Sequence, residues 1–188
     1  MKYILSLFLS LFLFAGSVLG AEPYVKISTK NRVENISLHG GYCAWASMET
    51  IGRHLGIAEL EGLMKKRIKD PDYKIWMDGR WKECKRNEGY DFCMQWKLND
   101  LGLKKWRMSL QGQYNRDILN YAVKKKLPCV VAFKEAAFNG AHACTLIGYD
   151  DKNVVFIDPN HPGYNYTASR AWFDFYWDGF VLVIEKEN

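Results

Sequence analysis

The 188-residue sequence lacks the residue spacings by which metal sites and nucleic-acid-binding modules are usually recognised. It contains no Cys-x-x-Cys pair and no Cys/His series with zinc-site spacing, so we predict neither a metal nor a cofactor. Its basic residues form small groups rather than a stripe joined to a recognition motif, which argues against a nucleic-acid partner. Internal repeats and low-complexity segments are absent as well. The length suits one domain with a sizeable core.

The one long apolar run stands at the N-terminus. Lys2 precedes a stretch over 4–14 that is interrupted only by serines, and small residues over 17–20 suit cleavage before Ala21. We therefore predict an export signal over residues 1–20 and a mature domain over residues 21–188, secreted or periplasmic. The alternative is a retained membrane anchor, but the run is shorter than the roughly 20 apolar residues of a spanning helix, so we expect no stable membrane insertion.

The mature part holds an odd number of cysteines, which is unusual for a protein sent to an oxidising compartment. They are Cys43, Cys84, Cys93, Cys129 and Cys144. Cys84 and Cys93 flank a polar, glycine-containing segment, where the sequence favours a local disulfide. Cys129 and Cys144 lie in apolar runs typical of strands, where a buried free cysteine behaves as a small hydrophobe. Every such pairing leaves Cys43 as the best candidate for a reactive thiol.

A buried helix is predicted to begin at Cys43. Apolar residues recur every three or four positions from there to Leu55, and Gly56 follows as a stop signal. Tyr42 precedes the helix, so none of the usual N-cap residues occupies the N–H groups of its first turn. Further helices are predicted over residues 58–67, 92–101 and 115–125.

After Pro128 the pattern changes to strands. We predict strands over 129–133, 142–149, 153–157 and 180–185, an extended run over 103–109, and no assignable structure in the polar section 69–89. The helices therefore come first and the sheet second. This order predicts an α+β fold in which the N-terminal helices, with Cys43 at the start of the first, pack on a C-terminal antiparallel sheet.

Cys43 meets one condition for a nucleophilic thiol. A thiol attacks as its thiolate, which the partial positive charge of a helix N-terminus and a neighbouring imidazole both stabilise. A buried cysteine at a helix start is common, however, so the assignment needs a partner base. His142 is the candidate, since it opens a predicted strand after a short approach over 138–141 that we expect to leave room for a substrate beside the ring.

The turn after that strand brings a further polar side chain toward His142. If Tyr149 faces Lys152 across the turn, position 142 lies opposite about position 159 on the antiparallel partner strand. Asp158 or Asn160 would then reach the imidazole and hold its productive tautomer by accepting the second ring N–H. The three-part arrangement is much more specific than any one of its members.

Several short motifs occur in a characteristic order along the chain. They are Tyr42-Cys43-Ala44-Trp45-Ala46-Ser47-Met48, Asn99-Asp100-Leu101-Gly102-Leu103, Leu127-Pro128-Cys129-Val130-Val131, Gly140-Ala141-His142, Gly148-Tyr149-Asp150-Asp151, Ile157-Asp158-Pro159 and Trp177-Asp178-Gly179-Phe180. In this order they resemble the papain-like cysteine peptidases, and most closely the stand-alone relatives of the branch that removes leader peptides from bacteriocin precursors. The resemblance implies Cys43 as nucleophile, His142 as base and Asp158 as the orienting acid.

Two positions depart from that family's pattern. Papain-like enzymes usually carry a Gln about six residues before the nucleophile, where its amide helps hold the oxyanion, but Ser37 stands there in this chain. His39 or Asn35 could substitute, or backbone N–H groups could act alone; losing one such donor typically costs about 10²–10³ in rate. In addition, Ala44-Trp45 follows the nucleophile where the leader-peptidase branch commonly has Gly-Pro.

The resemblance implies a thiol hydrolase that cleaves a peptide or amide bond through a Cys-His-Asp triad and a thioester intermediate. The predicted export signal implies that this hydrolase is secreted. Two alternatives stay open. One is a catalytically weak or inactive papain-like module that binds peptides, and the other is a cysteine-dependent acyltransferase or cell-wall amidase that uses the same triad. A peptide or protein is the expected partner, as substrate. The sequence determines neither the cleavage specificity nor the oligomeric state.

Overall fold

The computed structural model of the chain describes residues 22–36, 42–69, 73–77, 80–84 and 90–187. The predicted export signal over residues 1–20 lies outside these ranges. Within them, no helix combines the length and the apolar character that crossing a membrane requires.

The described ranges contain six α-helices, eight strands and two short 3₁₀ turns, at Thr29–Asn31 and Ala58–Leu60. The helices are α1 (Cys43–Leu55), α2 (Leu63–Lys69), α3 (Tyr90–Asp100), α4 (Arg116–Lys125), α5 (Glu135–Phe138) and α6 (Arg170–Tyr176). The strands are β1 (Tyr73–Met77), β2 (Arg80–Cys84), β3 (Trp106–Ser109), β4 (Cys129–Phe133), β5 (His142–Tyr149), β6 (Asn153–Ile157), β7 (Tyr166–Ser169) and β8 (Trp177–Ile184).

Strands β3 to β8 form one antiparallel sheet in the order β3-β8-β4-β5-β6-β7. With α1 packed on it, this sheet confirms the predicted α+β class. The predicted bounds of β4, β5 and β6 agree with the structure, whereas β8 begins at Trp177, three residues before its predicted start. Strands β1 and β2 pair separately as a hairpin, in the polar section where the sequence predicted no structure.

The central strands are buried because helices cover both faces of the sheet. Val130 and Ala143 point toward α1 and join the core cluster that this helix forms. Their chain neighbours Val131 and Cys144 point the other way, into a second cluster that includes residues of α4 and α6. Strands covered on both faces give continuous apolar runs rather than a clean alternation, which is why β4 and β5 were recognisable in the sequence.

The helix predicted over residues 58–67 is only partly present. Its first part is the 3₁₀ turn Ala58–Leu60, and Gly62 then adopts φ +71° before α2 begins. The buried carboxylate of Glu49, on α1, accepts the N–H groups of Gly62 at 3.0 Å and Met64 at 2.7 Å. These bonds supply the N-terminal cap of α2 from another helix, which no local sequence pattern reveals.

Three further elements of the described chain were not predicted from the sequence: α5, β7 and α6. Helix α5 has only four residues, and β7 is a short strand of partly exposed residues at the sheet edge. Helix α6 begins where the side chain of Ser169 accepts the N–H of Trp172 at 3.1 Å, a standard N-cap. Its aromatic-rich sequence hid the helical period, because the buried Phe173 and the partly buried Trp172 and Tyr176 stand beside an exposed aromatic residue, Phe175.

The predicted disulfide between Cys84 and Cys93 is confirmed, and it joins the end of β2 to α3 with a Cα–Cα distance of 5.6 Å. Cys129 and Cys144 are free and buried, as predicted, and Cys43 is the third free cysteine. Arg67 of α2 donates to the carbonyl oxygen of Cys84 at 3.2 Å, so the disulfide-bonded end of the hairpin is also tied to the helical part of the core.

Candidate active site

Cys43 is the first residue of α1 and is buried, with 4% of its surface exposed. The preceding residue, Tyr42, forms no side-chain hydrogen bond to the first turn of the helix, as its sequence predicted. Strand β5 packs against α1, and the backbone N–H of Ala143 donates to Sγ of Cys43 at 3.3 Å. Both this N–H and the helix N-terminus stabilise negative charge on the sulfur.

His142 is the first residue of β5 and pairs with Phe133 of β4, so the sheet fixes its backbone. Its neighbour Ala143 makes the contact with Cys43, and the strand thereby brings the imidazole and the thiol together. The buried ring forms a hydrogen bond with Asp158, and the thiols of Cys144 and Cys43 lie close enough to affect its pKa. The structure thus places the three predicted residues together: Asp158 is bonded to the imidazole, and Cys43 accepts the N–H of the residue next to His142.

Asp158 is the acidic member of this group. Its Oδ1 lies 2.9 Å from Nε2 of His142 and also accepts the backbone N–H of Asn160 at 2.8 Å. Asn160 itself faces another way: its side-chain oxygen accepts the amide of Asn35 at 2.9 Å. Of the two orienting groups that the sequence left open, Asp158 is therefore the one at hydrogen-bond distance from the ring.

The strand register that led to Asp158 differs from the predicted one. Tyr149 pairs with Val154 rather than Lys152. An irregularity between Leu146 and Gly148 then shifts the pairing by one residue in the part of the two strands that is nearer the site. A longer turn and a bulge are not visible in a two-residue turn signal such as Asp-Asp, which is why the prediction was wrong here. The carboxylate still reaches the ring because it follows directly after the last residue of β6.

The electrostatics of the site depend on the Asp158 carboxylate. Burial alone raises the pKa of Asp158, but the hydrogen bond and charge interaction with His142, together with the N–H of Asn160, outweigh it and hold that pKa below its usual value. Burial likewise lowers the pKa of His142, and the interactions with Cys144, Asp158 and Cys43 reverse this, so that the net pKa is raised. The imidazolium is therefore favoured.

Cys144 can raise the pKa of His142 by its charge only where it is itself a thiolate. Desolvation by burial raises the pKa of the Cys144 thiol to about 12, against the lowering effect of the nearby imidazolium. At neutral pH Cys144 is accordingly a thiol, and the interaction that sustains the raised pKa of His142 there is the one with Asp158. The apolar run around Cys144 predicted only a core residue; its position two residues after His142 on the same strand was the available signal.

Phe138 is a second neighbour that the sequence did not identify. It ends helix α5, and Asn139 with φ 57° then turns the chain back toward β5. The centroid of the Phe138 ring lies 4.6 Å from that of His142, at an interplanar angle of 54°. The approach over residues 138–141 was expected to leave room beside the ring, but one aromatic side chain packs against the imidazole there.

The N-terminal segment over residues 22–36 holds the loop that follows Asp158. The guanidinium of Arg32 donates to the carbonyl oxygens of Pro162 and Tyr164 and to the side-chain oxygen of Asn165. The backbone N–H of Asn35 donates to the carbonyl oxygen of Pro159 at 2.7 Å. Ser37 and His39, the other positions considered for an oxyanion donor, lie outside the described residues.

Comparison with known families agrees with this architecture. The model of the Peptidase_C39 like family matches residues 20–181, so the chain belongs to this family. The match confirms the resemblance to papain-like cysteine peptidases related to the bacteriocin-processing branch, and it supports a hydrolase of the cysteine-peptidase kind. No curated protein matches the chain.

Proposed function

We propose that this chain is an exported thiol hydrolase that cleaves a peptide or amide bond, with Cys43 as nucleophile, His142 as general base and Asp158 as the orienting acid. The observation that carries the proposal is the position of one buried imidazole, whose Nε2 lies 2.9 Å from the Asp158 carboxylate, while the N–H of the next residue, Ala143, donates to the Cys43 thiol at 3.3 Å. Family membership supports the same reaction class.

The reaction begins with the Cys43 thiolate, which the imidazolium, the Ala143 N–H and the helix N-terminus stabilise. Attack on the substrate carbonyl forms the S–C bond, and the imidazolium of His142 then protonates the leaving amine. Water, deprotonated by the now neutral imidazole, cleaves the thioester and returns the thiol. Asp158 stabilises the imidazolium and fixes the ring orientation throughout.

For the oxyanion we propose backbone donors at the start of α1. The side chain of Tyr42 does not cap this helix, so the first-turn N–H groups at Cys43 and Ala44 face the region where the carbonyl oxygen becomes negative. Asn35 is a weaker candidate, because its side-chain amide donates to Asn160.

The proposed site of action lies outside the cytoplasm. The disulfide between Cys84 and Cys93 is compatible with an oxidising compartment. The N-terminal sequence has the features of an export signal over residues 1–20, which would leave residues 21–188 as the peptidase domain.

The proposal is tested by active-site labelling. The purified protein is incubated with iodoacetamide, or with the peptidase inhibitor E-64, at neutral pH, and the modified residue is mapped by mass spectrometry. We expect Cys43 to react faster than the same thiol in the denatured protein, and Cys129 and Cys144 to stay unmodified because both are fully buried. A native Cys43 no more reactive than the denatured thiol would sink the enzymatic proposal and favour a binding module.

A further inference from the structure

Cys144 is a thiol beside the His142–Asp158 pair that the proposed reaction does not use. One potential ligand atom from each of these three residues lies within 4.8 Å of the other two, and all three residues are buried. Sulfur, imidazole nitrogen and carboxylate oxygen are the three ligand types that Zn²⁺ takes in proteins. The cluster therefore has a donor set that acyl transfer alone does not require.

We propose that His142, Cys144 and Asp158 form a binding site for a divalent ion of the zinc class, and that metal bound there holds the peptidase inactive. The binding step stands on the cluster alone. The inhibitory consequence rests on the proposed function, because it assumes that the imidazole of His142 acts in catalysis.

The spacing of the three ligand atoms is close to what a tetrahedral ion needs. Metal bonds of about 2.0 Å to nitrogen or oxygen and about 2.3 Å to sulfur place neighbouring ligand atoms roughly 3.3–3.6 Å apart. Here Nε2 of His142 and Oδ1 of Asp158 are 2.9 Å apart, and no pair in the cluster exceeds 4.8 Å. Small side-chain rotations would therefore suffice, and a fourth position would stay open for water or another donor.

Charge favours a divalent ion in this buried place. In the proposed complex the Cys144 thiolate and the Asp158 carboxylate each carry one negative charge and the imidazole is neutral, so the site with its metal has no net charge. Starting from the imidazolium, binding releases two protons, one from the Cys144 thiol and one from Nε2 of His142. The metal replaces the proton that Nε2 shares with Asp158, and no oxidation or reduction occurs.

The thiolate decides which ions suit the site. A sulfur ligand favours borderline or soft metals such as Zn²⁺ and Co²⁺ over hard ions such as Mg²⁺, which prefer oxygen. An imidazole bound to metal through Nε2 keeps its one proton on Nδ1 and is a far weaker acid than the imidazolium. It would not protonate a leaving amine, which is the physical reason for the expected inhibition.

The test uses Co²⁺ as a spectroscopic probe. Co²⁺ is titrated into the purified protein and into the variants Cys144→Ala, Cys43→Ser and Cys129→Ala, with Mg²⁺ as the hard-ion control. We expect a thiolate-to-cobalt charge-transfer band in the wild type, in Cys43→Ser and in Cys129→Ala, and its loss in Cys144→Ala. Cys129 is the matched control, since it is an equally buried free cysteine in the adjacent strand β4.

A second measurement follows the consequence at Cys43. Saturating Zn²⁺ should slow E-64 labelling of Cys43 by about tenfold or more in the wild type, since reactivity depends on the thiolate–imidazolium pair, and by much less in Cys144→Ala. No cobalt band in the wild type, or a band lost in Cys43→Ser but kept in Cys144→Ala, would overturn the proposed site. A cobalt band that depends on Cys144 in a protein whose Cys43 never reacts would support the metal site and contradict the proposed function instead.

Discussion

Oδ1 of Asp158 lies 2.9 Å from Nε2 of His142 and accepts a backbone N–H from Asn160 at the same time. The carboxylate is thus oriented by its own loop as well as by the ring. His142 opens strand β5 and Asp158 directly follows β6, so the pairing of these two strands sets the distance. A substitution at either residue should therefore change the pKa of the other residue while leaving the pairing of β5 and β6 largely intact.

Replacement His142→Ala should slow the alkylation of Cys43 by about tenfold or more at neutral pH, because the imidazolium that stabilises the thiolate is gone. The second-order rate constant for iodoacetamide labelling measures this. His54→Ala is the matched control, since His54 lies in the last turn of the same helix that Cys43 begins. An unchanged rate in His142→Ala would mean that His142 is not the partner of the thiol.

Replacement Asp158→Asn removes a charge while keeping an oxygen acceptor. The pKa of His142 should fall, because an opposite charge at hydrogen-bond distance is lost. The high-pH limb of the Cys43 labelling profile should then move to lower pH. Asp174→Asn, which removes a surface carboxylate bound to Arg116 and Arg170, should leave that limb in place. An identical profile in wild type and Asp158→Asn would contradict the role of the carboxylate.

The contribution of Asp158 to the free energy of unfolding should also depend on pH in the acid range. The folded-state pKa of Asp158 is depressed, so its ionised form stabilises the fold above the unfolded-state pKa of about 3.9, and this contribution disappears as pH falls through the lower folded-state value. The difference in unfolding free energy between wild type and Asp158→Asn should therefore shrink below about pH 4. Urea titrations at several pH values test this; a difference that grows on acidification would be the wrong sign.

Phe138 should act as a positioning residue for His142. Replacement Phe138→Ala removes the ring packed 4.6 Å from the imidazole and should slow Cys43 labelling several-fold, and Phe138→Trp should restore much of the rate. Phe175→Ala is the control, because Phe175 is 68% exposed. A purely structural role predicts lower thermal stability with an unchanged labelling rate, and that outcome would exclude positioning.

Loss of the Cys84–Cys93 disulfide should destabilise the fold. The bridge joins residues nine apart, and constraining a loop of this size contributes about 2–3 kcal/mol in the chain-entropy model. Urea unfolding of the oxidised protein, the reduced protein and a Cys84→Ala/Cys93→Ala double variant measures the effect. Cys129→Ala should still respond to reductant as the wild type does, since Cys129 is not bonded to another cysteine.

Glu49 should matter for stability although it is remote from the chemistry. Its buried carboxylate accepts hydrogen bonds from Arg53, Gly62 and Met64. Replacement Glu49→Ala leaves these donors unmatched and should cost about 2–4 kcal/mol of unfolding free energy, and Glu49→Gln should cost less because one acceptor oxygen remains. The exposed Glu59→Ala serves as control in the same urea experiment.

Local pattern decided a large part of this fold. The helix from Cys43 to Leu55 and the strands 129–133, 142–149 and 153–157 have strong periods or continuous apolar runs, and their predicted bounds agree with the structure. The disulfide was foreseeable because its two cysteines are close in sequence. The polar section with the hairpin β1–β2, by contrast, carries no clear period, and α2 is capped by a side chain from another helix.

The sequence by itself determined that Cys43 begins a helix, that His142 begins a strand, and that an acidic or amide side chain follows the next strand. Only tertiary structure brings these residues together. The strand register and a bulge determine that Asp158, and not Asn160, reaches the ring. The packing of α1 on β5 brings the thiol to the start of the same strand. The same packing places Phe138 and Cys144 against His142. Such neighbours are set by where distant elements pack, which no local spacing encodes.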